Sequence, residues 1–342
     1  MSLTDSPALA RLGVLTAAVG LGSAALLLIL AQATPSTAAF LRCALAIIAL
    51  APFAVAEVSR RGLPGRRTVA VAAAAGAFLG LDYIMWAQSV YDAGVGVSTV
   101  LISVQVVVFP ALVWLLHRQH PGRLFLWCMP VMLVGMLLTG GAFGVDPGAT
   151  APLRGAILGV LSGVLYGVYI YGTYRCRVLD PGLIVTPVLV ATTSAGAVTL
   201  IGGLILGGFD FDLGVGGWAA MVGLAVLGQA GAWGLLAVFS TRLPVTETAS
   251  LMLAQPITAV LLGTLLAGEE RAIGQWAGIA VVIAVVWLVS GGMRPAHPRP
   301  ATGALAAPFR AELLDRPVCH GAVTDAVLCY VLLWSPDMSE VA

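Results

Sequence analysis

Residues 36–57 read STAAFLRCALAIIALAPFAVAE, an apolar run that holds Arg42 near its beginning and Glu57 at its end. A helix that crosses the bilayer core needs about 20 consecutive apolar residues. The whole chain shares this character, because 59% of its 342 residues are hydrophobic and only 10% are charged. Soluble proteins carry about 25% charged residues. The sequence therefore predicts an all-α integral membrane protein.

Ten runs of this kind follow one another along the chain. They lie at 11–31, 36–57, 68–89, 95–116, 122–143, 154–174, 182–207, 217–240, 245–267 and 271–291. Short connections rich in glycine, proline and arginine separate them, which is typical of loops between transmembrane helices. The Pro-rich segment 293–342 follows the last run, and we expect it to be a cytoplasmic tail whose role the sequence does not indicate.

Arginines in the connections predict how the chain crosses the membrane. If the N-terminus is in the cytoplasm, twelve arginines lie on the inner side, and only Arg154 and Arg271 lie on the outer side. The inner ones are Arg11, Arg60, Arg61, Arg66, Arg67, Arg118, Arg123, Arg175, Arg177, Arg242, Arg294 and Arg299. Cytoplasmic loops carry the excess of basic residues in membrane proteins. We therefore expect a multi-pass protein of the bacterial inner (plasma) membrane with both termini in the cytoplasm.

The two halves of the chain are similar to each other. When residues 98–119 are laid over residues 248–269, Gln105 falls on Gln255, and span lengths and loop positions agree throughout. Each half has five spans, so the second copy must enter the membrane in the opposite orientation. Inverted repeats of this kind hold a substrate site near the midplane between them.

The sequence therefore predicts two inverted five-helix repeats and a transport function. The repeats cover 1–143 and 154–292, and a linker loop at 144–153 joins them. Alternating movement of the two repeats would expose the midplane site to each side in turn.

Two stretches also resemble a known family. The run AAFLRCALAIIALAP that follows Pro35, and the run TETASLMLAQPITAVLLGTLLAGE that precedes QWAGIAVVI, are similar to EamA-type transporters of the drug/metabolite transporter superfamily. The resemblance covers residues 11–292. It implies a ten-helix inner-membrane carrier for metabolites, with Arg42, Pro256 and Glu269 at family positions.

The first half departs from the family pattern. Arg118-Gln119 stands where the second half has Gly268-Glu269. The small multidrug relatives use a membrane glutamate in their first helix, whereas residues 12–30 of this chain hold no acidic residue. The resemblance therefore does not extend to that coupling mechanism.

Two charged residues lie well inside the predicted spans, Arg42 in the second and Asp82 in the third. A charge at the centre of a membrane helix costs about 2.5–3.5 kcal/mol on insertion scales. At about 1.5 Å per residue, both lie on the order of 10 Å below the outer surface, on adjacent antiparallel helices. We predict an ion pair or a shared water-filled vestibule. For Arg42 the alternatives are snorkelling to the outer interface and a structural bond to backbone carbonyls.

Uncharged polar and aromatic residues form a second group near the middles of several spans. They are Gln105, Tyr166, Gln229 and Gln255, with Trp86 and Trp233. Buried amides and phenols must find hydrogen-bond partners, and aromatic walls suit an apolar or cationic group. Interhelical hydrogen bonds, worth about 0.6 kcal/mol each, are the alternative for any one of them. Their common depth favours a substrate cavity.

Glycines recur at every fourth position of the sixth span. They are Gly155, Gly159, Gly163 and Gly167. Such a stripe of small residues lets another helix approach closely. Tyr166 and Tyr169 are predicted to project away from it.

These features together predict a secondary transporter, and we expect an exporter of amino acids or related amphipathic metabolites. Asp82 is the candidate group for proton coupling. We expect no enzyme activity, cofactor, metal or nucleic-acid partner, because catalytic and nucleotide-binding motifs are missing and the net charge is +1. A passive channel and a non-transporting membrane enzyme or scaffold are the alternatives, and the sequence leaves a homodimer open.

Overall fold

A computed structural model describes most of the chain as α-helices. The described residues are 7–117, 123–139, 149–232, 235, 239, 243, 251–252 and 254–289, without the side chains of 7, 123–125, 229, 230 and 289. The helices are α1 (Pro7–Ala31), α2 (Pro35–Arg61), α3 (Arg66–Ala93), α4 (Val95–Leu101), α5 (Gln105–His117), α6 (Arg123–Thr139), α7 (Pro152–Leu179), α8 (Val185–Ile205), α9 (Gly214–Ala225), α10 (Ala254–Leu265) and α11 (Ile273–Val289). A 3-10 turn at Ile102–Val104 joins α4 to α5, and a π-helix at Val226–Ala230 continues α9.

Six helical segments are long and apolar enough to cross a membrane. They are α1, α2, α3, the combined α4–α5 segment, α7 and α8. They confirm six of the ten predicted spans. The other four predicted spans coincide with the shorter apolar helices α6, α9, α10 and α11. These four stay a prediction, because parts of each lie outside the described residues, as does the predicted tail 293–342.

Large apolar side chains cover the outside of the helical body. Ile48, Leu115 and Leu204 are 70%, 75% and 68% exposed. Soluble monomers rarely expose wide contiguous apolar patches. In a bilayer the same side chains face lipid tails, so their exposure agrees with the membrane spans.

Helix α3 lies at the centre and packs against both α7 and α8. Around it, α2 packs against α8, α1 against α9 and α10, α5 against α7, α4 against α10, and α6 against α11. Each of these contacts joins a helix of the first half of the chain to a helix of the second half. The two halves therefore share one interleaved body.

The two largest apolar clusters of the described residues lie in this body. One cluster joins α1, α2, α3 and α9 and includes Leu28, Leu41, Trp86, Met221 and Leu224. The other joins α4, α5, α6 and α11 through a separate set of valine, leucine and methionine side chains. The first cluster surrounds the candidate site described below.

Local sequence signals explain where α2 begins and where α3 ends. Pro35 occupies the first turn of α2, where its missing N–H costs nothing, and Thr34 Oγ1 accepts the N–H of Thr37 at 3.2 Å. Gly94 ends α3 with φ +95°, a conformation that glycine adopts without a Cβ penalty. The chain can therefore turn at once from α3 into α4.

The glycine stripe of α7 is confirmed as a close helix contact. A Cβ added to Gly155 would lie 2.6 Å from Cβ of Ala93 in α3, and one added to Gly163 would lie 2.6 Å from the carbonyl oxygen of Ile102. These separations leave no room for a side chain. The stripe thus brings the backbones of α3 and the α4–α5 segment against α7.

Candidate functional site

The guanidinium of Arg42 lies against two aromatic rings of α3. Its Cζ is 4.2 Å from the ring centroid of Tyr83 and 5.4 Å from that of Trp86. Tyr83 and Trp86 are three residues apart and so share one face of the helix. A cation within about 6 Å of an aromatic ring face is attracted by the quadrupole of the ring, by about 2 kcal/mol when desolvated. Aromatic rings therefore stabilise the charge that the sequence places inside the second span.

A narrow cavity adjoins this contact. Its lining comes from α1, α2, α3 and α9 and consists of Leu28, Ala38, Ala39, Arg42, Tyr83, Trp86, Ala87 and Leu224. The centre of a water molecule can move through about 10 Å³ of it, which is room for about one water. Arg42 is the charged member of this lining.

Asp82 lies next to Tyr83 in the chain and contacts α7. It is only 1% exposed, and its carboxylate accepts a hydrogen bond from the hydroxyl of Ser162 in α7. Ser89, two helical turns later, faces α7 as well and donates to the carbonyl of Gly155 at 2.7 Å. Asp82 therefore belongs to the α3–α7 interface, whereas Tyr83 is turned by about 100° from it.

The predicted ion pair or shared vestibule of Arg42 and Asp82 stays a prediction. The two side chains are near enough for their charges to interact.

Tyr166 lies on the other side of Tyr83. Its ring stacks on that of Tyr169, with centroids 5.7 Å apart and planes 27° apart. Both pack against a cluster that includes Tyr83 and Cys43. The tyrosines thus project away from the glycine stripe, as predicted, and lie beside the Arg42 cavity.

The remaining predicted site residues are spread more widely. Gln105 begins α5, beside Gly167, and its buried Oε1 has no hydrogen-bond partner among the described residues. Gln255 is half-buried in α10, and its backbone carbonyl faces Gly22 of α1. Neither lines the Arg42 cavity. The side chain of Gln229 and all of Trp233 lie outside the described residues.

Tyr83 is the site residue that the sequence analysis missed. It lies three residues before Trp86, which was predicted to belong to the site. Two aromatic side chains three residues apart share a helix face. Tyr83 could have been identified from this spacing, because the neighbouring span holds a single arginine, Arg42.

Charged groups also hold one end of the helical body, in what we call the Glu269 clasp. The carboxylate of Glu269 accepts the backbone N–H groups of Val95 and Gly96 at the start of α4 and pairs with Arg271. Arg271 also donates to Thr264 and to the carbonyl of Val260. A carboxylate is favoured at a helix N-terminus, where backbone N–H groups lack partners. The clasp therefore joins the α10–α11 loop to the start of α4.

A second carboxylate cap holds the opposite end. The side chain of Glu57, at the end of α2, accepts the backbone N–H groups of Ile184, Val185 and Thr186 at 2.8, 3.1 and 2.7 Å. These residues begin α8. The C-terminal end of α2, in the first half, is thereby attached to the start of α8, in the second half.

Asp180 adds to this attachment. Its Oδ2 accepts the backbone N–H of Gly65 at 2.9 Å. The hydrogen bond from the Thr68 side chain, together with that from Gly65, lowers the pKa of Asp180 below its ordinary value. Hydrogen bonds that favour the ionised carboxylate have this effect.

Comparison with known proteins assigns the second half of the chain. Residues 153–291 match the EamA-like transporter family. This family is part of the drug/metabolite transporter superfamily. The EamA-like match covers the second predicted repeat, which contains Pro256 and Glu269. It confirms, over these residues, the family that the sequence resemblance indicated, and the apolar helices make this chain a multi-pass membrane protein.

A solved structure shares the fold of this chain. One crystal structure aligns with a TM-score of 0.51 and 16% sequence identity, over 91% of this chain and 100% of the other. At this identity the likeness concerns the fold alone. No curated protein matches the sequence.

Proposed function

We propose that the chain is a secondary transporter that exports small metabolites, amino acids or related amphipathic solutes, by alternating access. In this proposal residues 1–143 and 154–292 form ten spans as two inverted five-helix repeats, and the substrate binds at the Arg42 cavity between them. The helix contacts are the observation that carries it.

These contacts keep their pattern when the two halves are exchanged. The exchange replaces α1, α2, α3, α4–α5 and α6 by α7, α8, α9, α10 and α11. The contact of α3 with α7 then corresponds to that of α9 with α1, α3 with α8 to α9 with α2, and α1 with α10 to α7 with α5. The contacts α2–α8, α4–α10 and α6–α11 each join a helix to its own counterpart. A two-fold relation between inverted repeats accounts for this pattern.

The size of the cavity favours a carrier over a passive channel. Among the described residues, the Arg42 cavity has about 10 Å³ of free space, which admits no metabolite, so in this proposal a substrate enters it when helices on one side move apart. Alternating access supplies this movement by rocking one repeat against the other. A passive channel would instead need a continuous open path.

The orientation follows from the positive-inside rule. We propose that both termini lie in the cytoplasm of a bacterial cell, which puts the exposed Arg60 and the Glu57 cap on the inner side and the Glu269 clasp on the outer side. Asp82 is the proposed proton-carrying group, because it is a buried carboxylate near the charge of Arg42.

Solute counterflow in proteoliposomes tests the proposal. Untargeted metabolite profiling of cells with and without the protein first identifies an exported solute, and vesicles are then loaded with it. We expect saturable uptake of labelled solute against the unlabelled pool, loss of this uptake in Arg42→Gln, and normal uptake in the matched control Arg60→Gln. Non-saturable flux without counterflow would identify a channel and overturn the carrier proposal.

A further inference from the structure

Two arginines at the start of α3 are exposed and belong to no salt bridge between described residues. They are Arg66 and Arg67. Arg154 differs from them, because its guanidinium donates to both carboxylate oxygens of Asp92, at 2.7 and 2.6 Å. No described carboxylate therefore pairs with Arg66 or Arg67.

The carboxylates beside this part of the chain bind backbone groups. Asp180 Oδ2 accepts the N–H of Gly65 at 2.9 Å, and Glu57 accepts the N–H groups at the start of α8. Arg61 donates to the carbonyl of Gly182. These contacts attach both ends of the α2–α3 loop to the second half of the chain, and they hold the start of α3 in a fixed position.

The length of α3 places its first turn among lipid head groups. The helix has 28 residues, which at about 1.5 Å per residue gives a length of about 42 Å. A bilayer with its head groups is about 40–45 Å thick. A helix of this length that crosses the membrane therefore has its first and last turns in the two head-group layers.

An apolar stripe of α3 continues from Arg67 towards the membrane core. Ala70, Ala74, Phe78 and Leu81 follow Arg67 at intervals of three or four residues and so share its face of the helix. All four are exposed, Phe78 by 39% and Leu81 by 41%. In a bilayer this α3 stripe lies against acyl chains.

Leu63 adds an apolar side chain to the loop that precedes these arginines. It is 83% exposed and lies between Gly62 and Pro64. Apolar and basic residues side by side are typical of segments that lie at a membrane surface, where the apolar side chain enters the acyl boundary. Leu63 therefore fits the same layer of the bilayer as Arg66 and Arg67.

We propose that Leu63, Arg66, Arg67 and the α3 stripe form a binding surface for an anionic phospholipid. The arginines bind the phosphate and the negative charge of the head group, and an acyl chain lies along the stripe. None of these residues lines the Arg42 cavity. The interaction requires only that α3 crosses the membrane.

Guanidinium groups suit this partner. Each presents N–H donors in a planar fork that fits two oxygens of a phosphate. One basic residue at a membrane surface strengthens the attraction to anionic lipids about fivefold. Phosphatidylcholine also has a phosphate, but its quaternary ammonium is repelled by the two arginines. The pair therefore prefers head groups with a net negative charge.

Arg60 carries the same charge in a different setting. It lies in the last turn of α2, where the helix dipole favours a cation. Arg66 and Arg67 lie in the first turn of α3, which holds no acidic residue and where the dipole disfavours cations. An anionic head group relieves this repulsion at α3, whereas Arg60 needs no such partner.

Binding of lipids to the purified full chain in detergent tests the proposal. The probes are dioleoylphosphatidylglycerol, dioleoylphosphatidylcholine and glycerol 3-phosphate, which separate the charge of the head group from the acyl chains. Native mass spectrometry counts the bound lipids, and shifts in thermal unfolding follow their concentration. We expect phosphatidylglycerol to bind at least tenfold more tightly than either of the other two.

Variants assign this preference to the named residues. Arg67→Gln should weaken the binding of phosphatidylglycerol about fivefold, and Arg66→Gln/Arg67→Gln at least tenfold. Arg60→Gln is the matched control and should change it less than twofold in about 0.15 M salt, where charges more than about 8 Å apart are largely screened. Arg66→Lys/Arg67→Lys keeps both charges and should retain most of the binding. If the double glutamine variant does not fold, the comparison of Arg67→Gln with Arg60→Gln decides.

Four results would overturn the inference. The first is equal binding of the two phospholipids, and the second is unchanged binding of phosphatidylglycerol by Arg66→Gln/Arg67→Gln. The third is an equal loss for Arg60→Gln and Arg67→Gln, which would indicate a general attraction to the loop. The fourth is binding of glycerol 3-phosphate as tight as that of phosphatidylglycerol, which would identify a site for soluble phosphates.

Discussion

The carboxylate of Glu269 lies 3.3 Å from the backbone nitrogen of Gly96, a residue 173 positions earlier in the chain. This hydrogen bond, with that to Val95, satisfies N–H groups that the start of α4 leaves without helical partners. Arg271 holds the carboxylate in place and is itself only 1% exposed. The clasp therefore stabilises a contact between the two halves of the chain.

Replacement of Glu269 tests this contact. Glu269→Gln should lower the free energy of unfolding by about 2 kcal/mol, because hydrogen bonds to a charged group are lost and Arg271 loses its anion. Thermal unfolding of the purified protein in detergent measures the change. Glu270→Gln is the matched control, since Glu270 is exposed. Equal stability of the two variants would contradict the role of the clasp.

The glycine stripe of α7 gives a second prediction about stability. Gly163→Ala should cost about 1–3 kcal/mol, because its Cβ would lie 2.5 Å from Val104 Cγ1 and 2.6 Å from the backbone oxygen of Ile102. Gly216→Ala is the control, since nothing lies within 4 Å of its added Cβ. We expect Gly216→Ala to be neutral or to stabilise by up to about 1 kcal/mol. If both variants shift the unfolding midpoint in the same direction, the helices do not approach closely at Gly163.

The lowered pKa of Asp180 predicts that the stability of the protein depends on pH. Its pKa in the folded protein is lowered by hydrogen bonds from Thr68 and Gly65, so its contribution is present above the unfolded value of 3.8 and is lost as the pH falls through the folded value. Asp180→Asn should therefore be less stable than the wild type at pH 7, and the difference should shrink towards pH 3. Unfolding at both pH values, with the exposed Asp212→Asn as control, measures it. A difference that stays constant with pH would contradict the assignment.

Asp82 gives the prediction about energy coupling. In Asp82→Asn, the amide oxygen can still accept a hydrogen bond from Ser162. The amide group does not titrate, so it cannot carry a proton. Under the proposed mechanism, transport in proteoliposomes should lose its response to an imposed proton gradient while counterflow continues. Asp212→Asn should respond as the wild type does. If Asp82→Asn still follows the gradient, proton coupling through this residue is wrong.

Much of the fold could be predicted from the sequence, because membrane spans and small-residue stripes are local patterns. The six long spans and the close approach of α7 belong to this class. The partners of Glu57 and Asp82 could not be predicted. Each depends on how a helix is rotated and on a residue far away in the chain, Ile184 for Glu57 and Ser162 for Asp82.

The position of α3 has a consequence for biosynthesis. The hydroxyl of Ser162 in α7 donates to Asp82, and Ser89 donates to the carbonyl of Gly155 in α7 in addition to its contact with Ser98 of α4. The ribosome makes α7 only after the whole first half has been synthesised, so these hydrogen bonds with α7 are missing until then. The first five spans are therefore an unfinished assembly when they leave the ribosome, and the arrival of α7 completes them.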